Sequence, residues 1–467
     1  MQFTVKWRVA IVAAALSAVC AVQAAAQSGT AKRQAAPYSP VTDRAFELFS
    51  RDAAKRKRAL DQFRAERTMA AVPALIQGLR FARSVAPEFV KALRDITGAN
   101  PGERWHDWVL WQQAHPEIAT PKDFIAVKAA LYERIDPNFR LFLYSGAAHD
   151  IRIEEIVWGG VIKDGIPALT NPKLIAPSAA KYITPDELVF GVEINGDARA
   201  YPLRLLDWHE MFNDVVGGVP VSLAYCTLCG SGILFETAVE GRDKPFVFGS
   251  SGFLYRSNKL MYDRQTHSLW NQFTGKPVVG KLVGSGIALK TRPVVITSWA
   301  GWLRDNPKTR VLSLDTGFER DYTPGRPYGA YFNSPDLMFP ALVDETKLKA
   351  KDYVFALRSS GHAKAWPLAY FKTAPVINDT AGAVRLTLVG DVATRTVRAY
   401  RTNGEVFRAG QRVGTLVSGG ATWRITEAAL IGPAGEQLTR LPGHIAYWFA
   451  WSNYLGSAGE VARAPQP

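Results

Sequence analysis

Residues 188–201 read Leu-Val-Phe-Gly-Val-Glu-Ile-Asn-Gly-Asp-Ala-Arg-Ala-Tyr. Two runs of strand-forming residues flank Asn195-Gly196, and Asn-Gly is the dipeptide that best suits a two-residue turn with positive φ angles. The stretch therefore predicts a β-hairpin. Pro202 comes next and is expected to start a short helix over residues 202–212.

The hairpin and its surroundings recur 165 residues later. Residues 186–224 align without a gap with residues 351–389, and 12 of these 39 positions are identical. The identities include Gly196 and Gly361, Pro202 and Pro367, Asn213 and Asn378, and Asp214 and Asp379. Such similarity indicates internal duplication. We predict a β-rich body of two units related by a pseudo-twofold axis, a first repeat over 150–335 and a degenerate second repeat over 336–455.

The region before this body has a different pattern. Between residues 41 and 145, apolar residues recur at helical spacing in short amphipathic pieces divided by Gly and Pro. The pieces weakly resemble HEAT-like helical repeats, so this region is a candidate docking platform for a protein partner. The predicted fold class is α+β, a small all-helical N-terminal region followed by the duplicated β-rich body.

The N-terminus predicts export. Residues 1–26 begin with basic residues, continue through the apolar run Val9–Val22 and end in three alanines, which is the pattern of a secretory signal peptide. We expect cleavage after Ala26, a flexible linker over 27–40, and a periplasmic or secreted mature protein. No later run approaches the roughly 20 apolar residues of a transmembrane helix.

Composition and charge narrow the classes of function. The chain has 467 residues, of which 47% are hydrophobic and 21% charged, which excludes a wholly disordered protein. A net charge of +14 is compatible with binding to anionic components of the cell envelope. The sequence lacks a groove-reading motif and a Gly-rich phosphate loop after a strand, so neither nucleic-acid binding nor a nucleotide cofactor is expected.

Two cysteines lie outside the leader, in the stretch Cys226-Thr-Leu-Cys229-Gly230 between predicted strands over 219–225 and 233–237. A strand after the second cysteine argues against a thioredoxin-like site, where the CxxC opens a helix. Three interpretations stay open. The pair could hold a metal ion in a knuckle, form a redox-active disulfide, or form the inert disulfide of an oxidising compartment.

A metal site would need further ligands. His209 is the first candidate, because its helical neighbours predict an inward-facing side chain and because, like both cysteines, it has no counterpart in the second repeat. The candidate fourth ligands are His267, His444 and Asp214. Thiolates with an imidazole suit copper, zinc or iron, so the prediction is one transition metal ion of undecided identity.

The stretch 251–272 is dense in hydrogen-bonding side chains set among aromatics and is predicted to line a ligand cleft. The predicted lining residues are Tyr255, Asn258, Tyr262, Asp263, Arg264 and Trp270. The alternative is a hairpin in which Asn258 and the Asp263-Arg264 pair only satisfy the backbone of a turn.

These motifs resemble the bacterial family catalogued as domain of unknown function 3179. The resemblance covers about residues 150–455 and rests on Gly191-Val-Glu-Ile-Asn-Gly196, Trp208-His-Glu210, Tyr225-Cys-x-x-Cys-Gly230, Met261-Tyr-Asp-Arg264 and Trp448-Phe-Ala-Trp451. Thr227 and Ser231 stand where the family usually has Pro and Thr, and both changes leave the thiols intact. The resemblance implies an exported body of a single family and marks His209, Cys226 and Cys229 as motif positions.

Together these patterns predict an exported metal-binding or thiol-redox protein with a Cys-x-x-Cys plus His site in the first repeat. The alternative is a non-catalytic periplasmic binding or assembly module, in which Cys226 and Cys229 form an inert disulfide.

Overall fold

A computed structural model describes residues 38–359, 361–455 and 459–465. The predicted signal peptide and nearly all of the predicted linker lie outside these residues. The described residues from Val41 onward form one compact unit. None of the helices in the described part of the chain combines the length and the apolar character needed to cross a membrane.

Helices dominate the N-terminal region, as the sequence predicts. The α-helices of this region are α1 (Pro40–Glu47), α2 (Ala53–Ala65), α3 (Val72–Phe81), α4 (Ala86–Thr97), α5 (Trp105–Ala114) and α6 (Ile125–Tyr132). In the described part of the body, four further helices lie among the strands, and they are α7 (Leu203–His209), α8 (Trp299–Asp305), α9 (Gly329–Phe332) and α10 (Trp448–Leu455). Helix α2 begins after Asp52, whose carboxylate accepts a 2.8 Å hydrogen bond from the N–H of Ala54. Helix α4 ends at Gly98, which adopts a left-handed φ of 73°.

The body after the helices is rich in strands. They are β1 (Ile156–Trp158), β2 (Leu169–Thr170), β3 (Leu174–Ile175), β4 (Leu188–Ile194), β5 (Asp197–Pro202), β6 (Met211–Val216), β7 (Val219–Cys226), β8 (Ser231–Glu236), β9 (Phe248–Tyr255), β10 (Asn258–Asp263), β11 (Leu269–Asn271), β12 (Lys276–Val279), β13 (Thr291–Arg292), β14 (Val295–Ser298), β15 (Arg310–Leu312), β16 (Tyr353–Ser359), β17 (His362–Pro367), β18 (Val376–Ala381), β19 (Val384–Asp391), β20 (Thr396–Arg401), β21 (Arg408–Ala409), β22 (Thr415–Ser418), β23 (Ala421–Ile425), β24 (Ala429–Ile431), β25 (Gln437–Leu441), β26 (His444–Tyr447) and β27 (Glu460–Val461).

These strands form several sheets. Their strand orders are β1-β9-β10-β11-β12, β13-β8-β7-β6-β2, β14-β4-β5-β15-β3, β26-β16-β17-β27, and β18-β19-β20-β25-β24-β23-β22-β21. The mixed α+β class, with helices first and a β-rich body after them, is confirmed.

The N-terminal helices share a hydrophobic core with the first sheet. Phe63 and Phe89 from the helices belong to the same buried cluster as Phe253 and Tyr262 from β9 and β10. The ring centroid of Phe253 lies 5.3 Å from that of Tyr132, in an edge-to-face contact. Burial of each such side chain is worth about 1.5–3 kcal/mol, so this core attaches the helical region firmly to the body.

The predicted hairpin at residues 188–201 is confirmed. Strands β4 and β5 pair antiparallel from Val189 opposite Pro202 to Ile194 opposite Asp197. Asn195 and Gly196 form the turn with φ angles of 52° and 82°, which is the left-handed conformation that an Asn-Gly turn requires.

The helix after Pro202 is shorter than predicted. Helix α7 stops at His209 because Glu210 adopts a left-handed φ of 54°. The carbonyl oxygen of Glu210 then accepts a 2.7 Å hydrogen bond from the N–H of Tyr225, and β6 starts one residue later. Apolar spacing alone could not locate this end, because residues 210–212 continue a helical pattern but join a β-ladder.

Two of the sheets share a pattern of pairing. In one, β4 pairs antiparallel with β5 and β14, and β5 pairs parallel with β15. In the other, β16 pairs antiparallel with β17 and β26, and β17 pairs parallel with β27. The registers also correspond, since Val189 lies opposite Pro202 and Val354 lies opposite Pro367. The duplication itself stays a prediction.

Candidate functional site

The two cysteines lie in a tight turn between β7 and β8, which we call the cysteine knuckle (residues 226–231). Cys226 and Cys229 form a disulfide with their Cα atoms 5.2 Å apart. Gly230 adopts a φ of 59°, and a Cβ atom there would lie 3.0 Å from the ring of Tyr353. Glycine suits this position because it adopts a positive φ without strain and leaves room for the neighbouring ring.

The disulfide is buried beneath neighbouring segments. Cys226 is 3% exposed and Cys229 is fully buried. The Sγ atom of Cys229 lies 3.1 Å from the carbonyl oxygen of Ser257, in the turn between β9 and β10. The Tyr331 hydroxyl donates a 2.8 Å hydrogen bond to the carbonyl of Leu228 inside the knuckle. Both sulfurs are therefore shielded from solvent in this conformation.

A matching turn joins β19 to β20 without cysteines. Asp391 lies opposite Thr396, just as Cys226 lies opposite Ser231. The Thr394 hydroxyl donates a 2.7 Å hydrogen bond to the Asp391 carboxylate, across the positions that the disulfide bridges in the cysteine knuckle. The following residue, Arg395, has a φ of 53°, close to that of Gly230.

His209 is fully buried at the end of α7, as the sequence pattern predicts. Its Nδ1 lies 2.8 Å from the carbonyl oxygen of Pro167 and its Nε2 lies 2.6 Å from the hydroxyl of Tyr322. Burial lowers the pKa of His209 to about 4, so the ring is neutral at pH 7. Since a carbonyl can only accept, Nδ1 donates to Pro167 and Nε2 accepts from Tyr322.

The candidate fourth ligands lie in different surroundings. Asp214 accepts a 2.7 Å hydrogen bond from the Tyr201 hydroxyl and forms a 2.7 Å ion pair with Arg199. His267 lies in the turn after β10, with a φ of 59°. His444 is buried at the start of β26, and burial lowers its pKa to about 3. Within the described residues no group of three or more His, Cys, Asp or Glu side chains is placed to hold a metal ion, and the metal site stays a prediction.

The predicted lining residues fall into separate hydrogen-bond networks on β9, β10 and β11. The Tyr262 hydroxyl and the Arg264 guanidinium both donate to Asp164, Trp270 Nε1 donates to Asp263, Asn258 pairs with Gln272, and Tyr255 stacks beneath Arg256. Asp263 also accepts a hydrogen bond from the N–H of Thr266 and so closes a turn. Asp263 thus fits the hairpin alternative, whereas Asn258 and Arg264 bond to side chains of other residues, and a role in lining a cleft stays a prediction.

Sequence reasoning missed a cavity on the other face of the sheet from the disulfide. We call it the Asp207 cavity. It measures about 200 Å³, and its lining includes Asp207, Tyr225 and Arg395. Asp207 is 7% exposed, and its carboxylate accepts a 3.3 Å hydrogen bond from the Tyr225 hydroxyl. Burial raises the pKa of Asp207 to about 8, which makes this carboxyl group largely neutral at pH 7.

A buried ion pair lies at the end of α7. The ammonium group of Lys259, on β10, donates to the carboxylate of Glu210 and lies 3.3 Å from the Ser250 hydroxyl. Both members of the pair are buried. The sequence signal for Glu210 was the Trp208-His209-Glu210 motif, but nothing in the sequence pointed to Lys259 as its partner.

Comparison with protein families identifies a related family. A family model described as "Protein of unknown function (DUF3179)" matches residues 163–458. A search of curated proteins returns no match, and no solved structure matches the chain.

Proposed function

The chain belongs to the DUF3179 family, and we propose that this member is an exported thiol–disulfide redox protein whose reactive pair is Cys226 and Cys229. Export rests on the signal-peptide pattern of residues 1–26. The observation that carries the redox proposal is the turn at Asp391, which adopts the geometry of the cysteine knuckle without a disulfide.

A disulfide that the fold does not need is a candidate for chemistry. In the turn after β19, one hydrogen bond between Thr394 and Asp391 occupies the place of the sulfur–sulfur bond. A covalent link across so short a loop also removes little entropy from the unfolded chain. A structural role therefore explains poorly why two cysteines occupy these positions.

This reasoning predicts a small loss of stability when both cysteines are replaced by serine. The chain-entropy relation gives about 2 kcal/mol for a loop of this length, and we expect the free energy of unfolding to fall by no more than that. Urea unfolding of the wild-type protein and of the Cys226→Ser/Cys229→Ser variant measures the difference. A loss of about 5 kcal/mol would make the disulfide a structural element.

The proposed reaction is a two-electron exchange. A thiolate of the redox partner attacks Sγ of Cys226, a mixed disulfide forms, and Cys229 leaves as a thiolate that takes up a proton. A second partner thiolate then attacks the partner's sulfur, which releases Cys226 as a thiolate that is protonated in turn. The protein thus gains two electrons and two protons, and the two partner thiols become one disulfide.

The surroundings assign different roles to the two cysteines. Once reduced, the Cys229 thiol can donate to the Ser257 carbonyl oxygen 3.1 Å away, which favours its protonated form. Cys226 is then the residue that attacks and is attacked, and Cys229 is the resolving residue.

We therefore expect unequal reactivity in single variants. Reduced Cys229→Ser protein, which retains Cys226, should react with Ellman's reagent at least tenfold faster than Cys226→Ser protein at pH 7.5. Stopped-flow absorbance measures both rates, and each variant in urea provides the unfolded control. Equal rates, or no reaction in either folded variant, would contradict these assignments.

A second candidate is a metal knuckle in the reduced protein. The oxidised pair brings the two sulfurs together, so two thiolates there can share one soft ion such as copper, zinc or iron. The donor set fits this metal only in part. The two thiolates suit such an ion, but both nitrogens of His209 already have hydrogen-bonding partners. Elemental analysis of the reduced protein beside the Cys226→Ser variant tests this candidate, which requires stoichiometric metal in the first and none in the second.

We also propose that the two β-rich units arose by duplication. Corresponding side chains make corresponding contacts, which supports this view. The Asn213 amide bonds to both the N–H and the carbonyl of Phe248, and the Asn378 amide bonds in the same way to Phe407. The Lys364–Asp379 ion pair likewise corresponds to Arg199–Asp214. The first unit would carry the reactive site and the second would be its scaffold.

We propose two kinds of partner on the basis of the sequence. The helical region over 41–145 is proposed to dock a protein partner, and the net charge of +14 favours anionic components of the envelope as neighbours.

A further inference from the structure

The Asp207 cavity lies beside the cysteine knuckle but on the opposite face of the sheet. Tyr225 and Cys226 are consecutive residues of β7, so their side chains point to opposite faces. Asp207 comes from α7, and Arg395 comes from the turn between β19 and β20. Both β-rich units therefore contribute to one cavity.

The cavity contains one acid and one base that have no charged partner. Among the described residues, neither Asp207 nor Arg395 has an oppositely charged group within the 4.0 Å that defines an ion pair. Asp207 is bonded to the Tyr225 hydroxyl, and the Arg395 guanidinium stacks 4.5 Å above the ring of Tyr353.

The other two charged groups in the wall are fully partnered. The Arg204 guanidinium pairs with the Glu187 carboxylate and donates a 2.5 Å hydrogen bond to the carbonyl of Tyr182. This pair therefore has few free hydrogen-bonding groups for a ligand. Recognition in the cavity must come from Asp207, Tyr225 and Arg395.

An unpaired carboxyl group and an unpaired guanidinium on the walls of one cavity suit a ligand that carries both charges, because an ammonium group beside Asp207 favours the ionised carboxylate. A carboxylate satisfies a guanidinium, and an ammonium group satisfies a carboxylate, each with charge-assisted hydrogen bonds. We propose that the Asp207 cavity binds a small α-amino acid, with its carboxylate at Arg395 and its ammonium group at Asp207.

The size of the cavity agrees with such a ligand. The cavity of about 200 Å³ has room for a small ligand such as glycine or alanine. Neither cysteine lines the cavity, so the proposed amino-acid site does not depend on whether Cys226 and Cys229 undergo thiol–disulfide exchange.

Isothermal titration calorimetry of the full chain with glycine tests the proposal. Acetate and methylamine each carry only one of the two charges and serve as the comparison probes. We expect glycine to bind, and acetate and methylamine to bind at least tenfold more weakly. Absence of glycine binding, or acetate binding as tight as that of glycine, would overturn the proposal.

Variants locate the binding. Arg395→Gln and Asp207→Asn should each weaken glycine binding at least tenfold, whereas Arg412→Gln changes an exposed arginine outside the cavity lining and should leave it unchanged. Tyr225→Phe keeps the ring packing, removes only the hydroxyl, and should weaken binding less than Asp207→Asn does. Glycine binding unchanged in a folded Arg395→Gln protein, with folding verified by circular dichroism, would place the ligand elsewhere and overturn the proposal.

Discussion

Replacing Asp207 with asparagine should stabilise the protein, by a margin that grows as the pH rises from about 4 to about 8. The cause is the buried carboxyl group, whose pKa burial raises to about 8 in the folded protein, against about 3.9 in the unfolded chain. The negative charge of Glu210 adds to this rise, while the Tyr225 hydroxyl and Arg395 oppose it.

The sign follows from proton binding. Between these two pKa values the folded protein holds a proton on Asp207 that the unfolded chain has lost, so its stability falls as pH rises, by up to about 1.4 kcal/mol per pH unit. Asparagine does not titrate. The variant should therefore match the wild type near pH 4 and exceed its free energy of unfolding by several kcal/mol at pH 8.

Urea unfolding of both proteins at pH 4, 6 and 8 measures this margin, and all other titrating groups cancel in the difference. Asp321→Asn is the matched control, because the Asp321 carboxylate is exposed and its pKa is lowered by hydrogen bonds that it accepts from Thr323. The free energy of unfolding of this control, relative to that of the wild type, should not increase as the pH rises. A margin for Asp207→Asn that does not depend on pH would mean that this carboxyl group is ionised in the folded protein.

Replacing Lys259 with methionine should cost about 3–5 kcal/mol, because it leaves the Glu210 carboxylate buried without its partner. Removing both charges in Lys259→Met/Glu210→Gln should recover a large part of that loss, since no buried charge then remains. The effect should be greater than that of a surface pair because both side chains are shielded from water.

Lys290→Met provides the comparison. Lys290 pairs at 3.2 Å with Glu236, but its side chain is 67% exposed, and such pairs contribute about 0–1 kcal/mol. Chemical denaturation of the three variants gives the free energies. If Lys259→Met lost no more free energy of unfolding than Lys290→Met, the buried Glu210–Lys259 pair would stabilise the fold no more than an exposed pair does.

Local features of the fold could be predicted from the sequence because they depend on neighbouring residues. Asn195 and Gly196 specify the turn between β4 and β5 by their own conformational preferences. The strands on either side of Cys226 and Cys229 were evident for the same reason. The inward direction of His209 followed from helical spacing.

Contacts between distant segments could not be predicted. His209 meets Tyr322, which lies in an irregular stretch without any periodic pattern. Asp207 and Arg395 line one cavity only because α7 and the turn between β19 and β20, far apart in the sequence, pack together. The short sequence Trp208-His209-Glu210 gives no indication that Lys259 supplies the countercharge. Pairings of this kind are set by tertiary packing, which local patterns do not encode.

The reduction potential of the Cys226–Cys229 pair tests the redox proposal most directly. The protein is equilibrated in thiol–disulfide buffers of graded potential, quenched with acid, and labelled with a thiol reagent that adds mass for each free cysteine. We predict a single two-electron transition above about −270 mV, in the range of disulfides that exchange. A pair that stays oxidised below about −300 mV would be a structural disulfide and would contradict the proposed function.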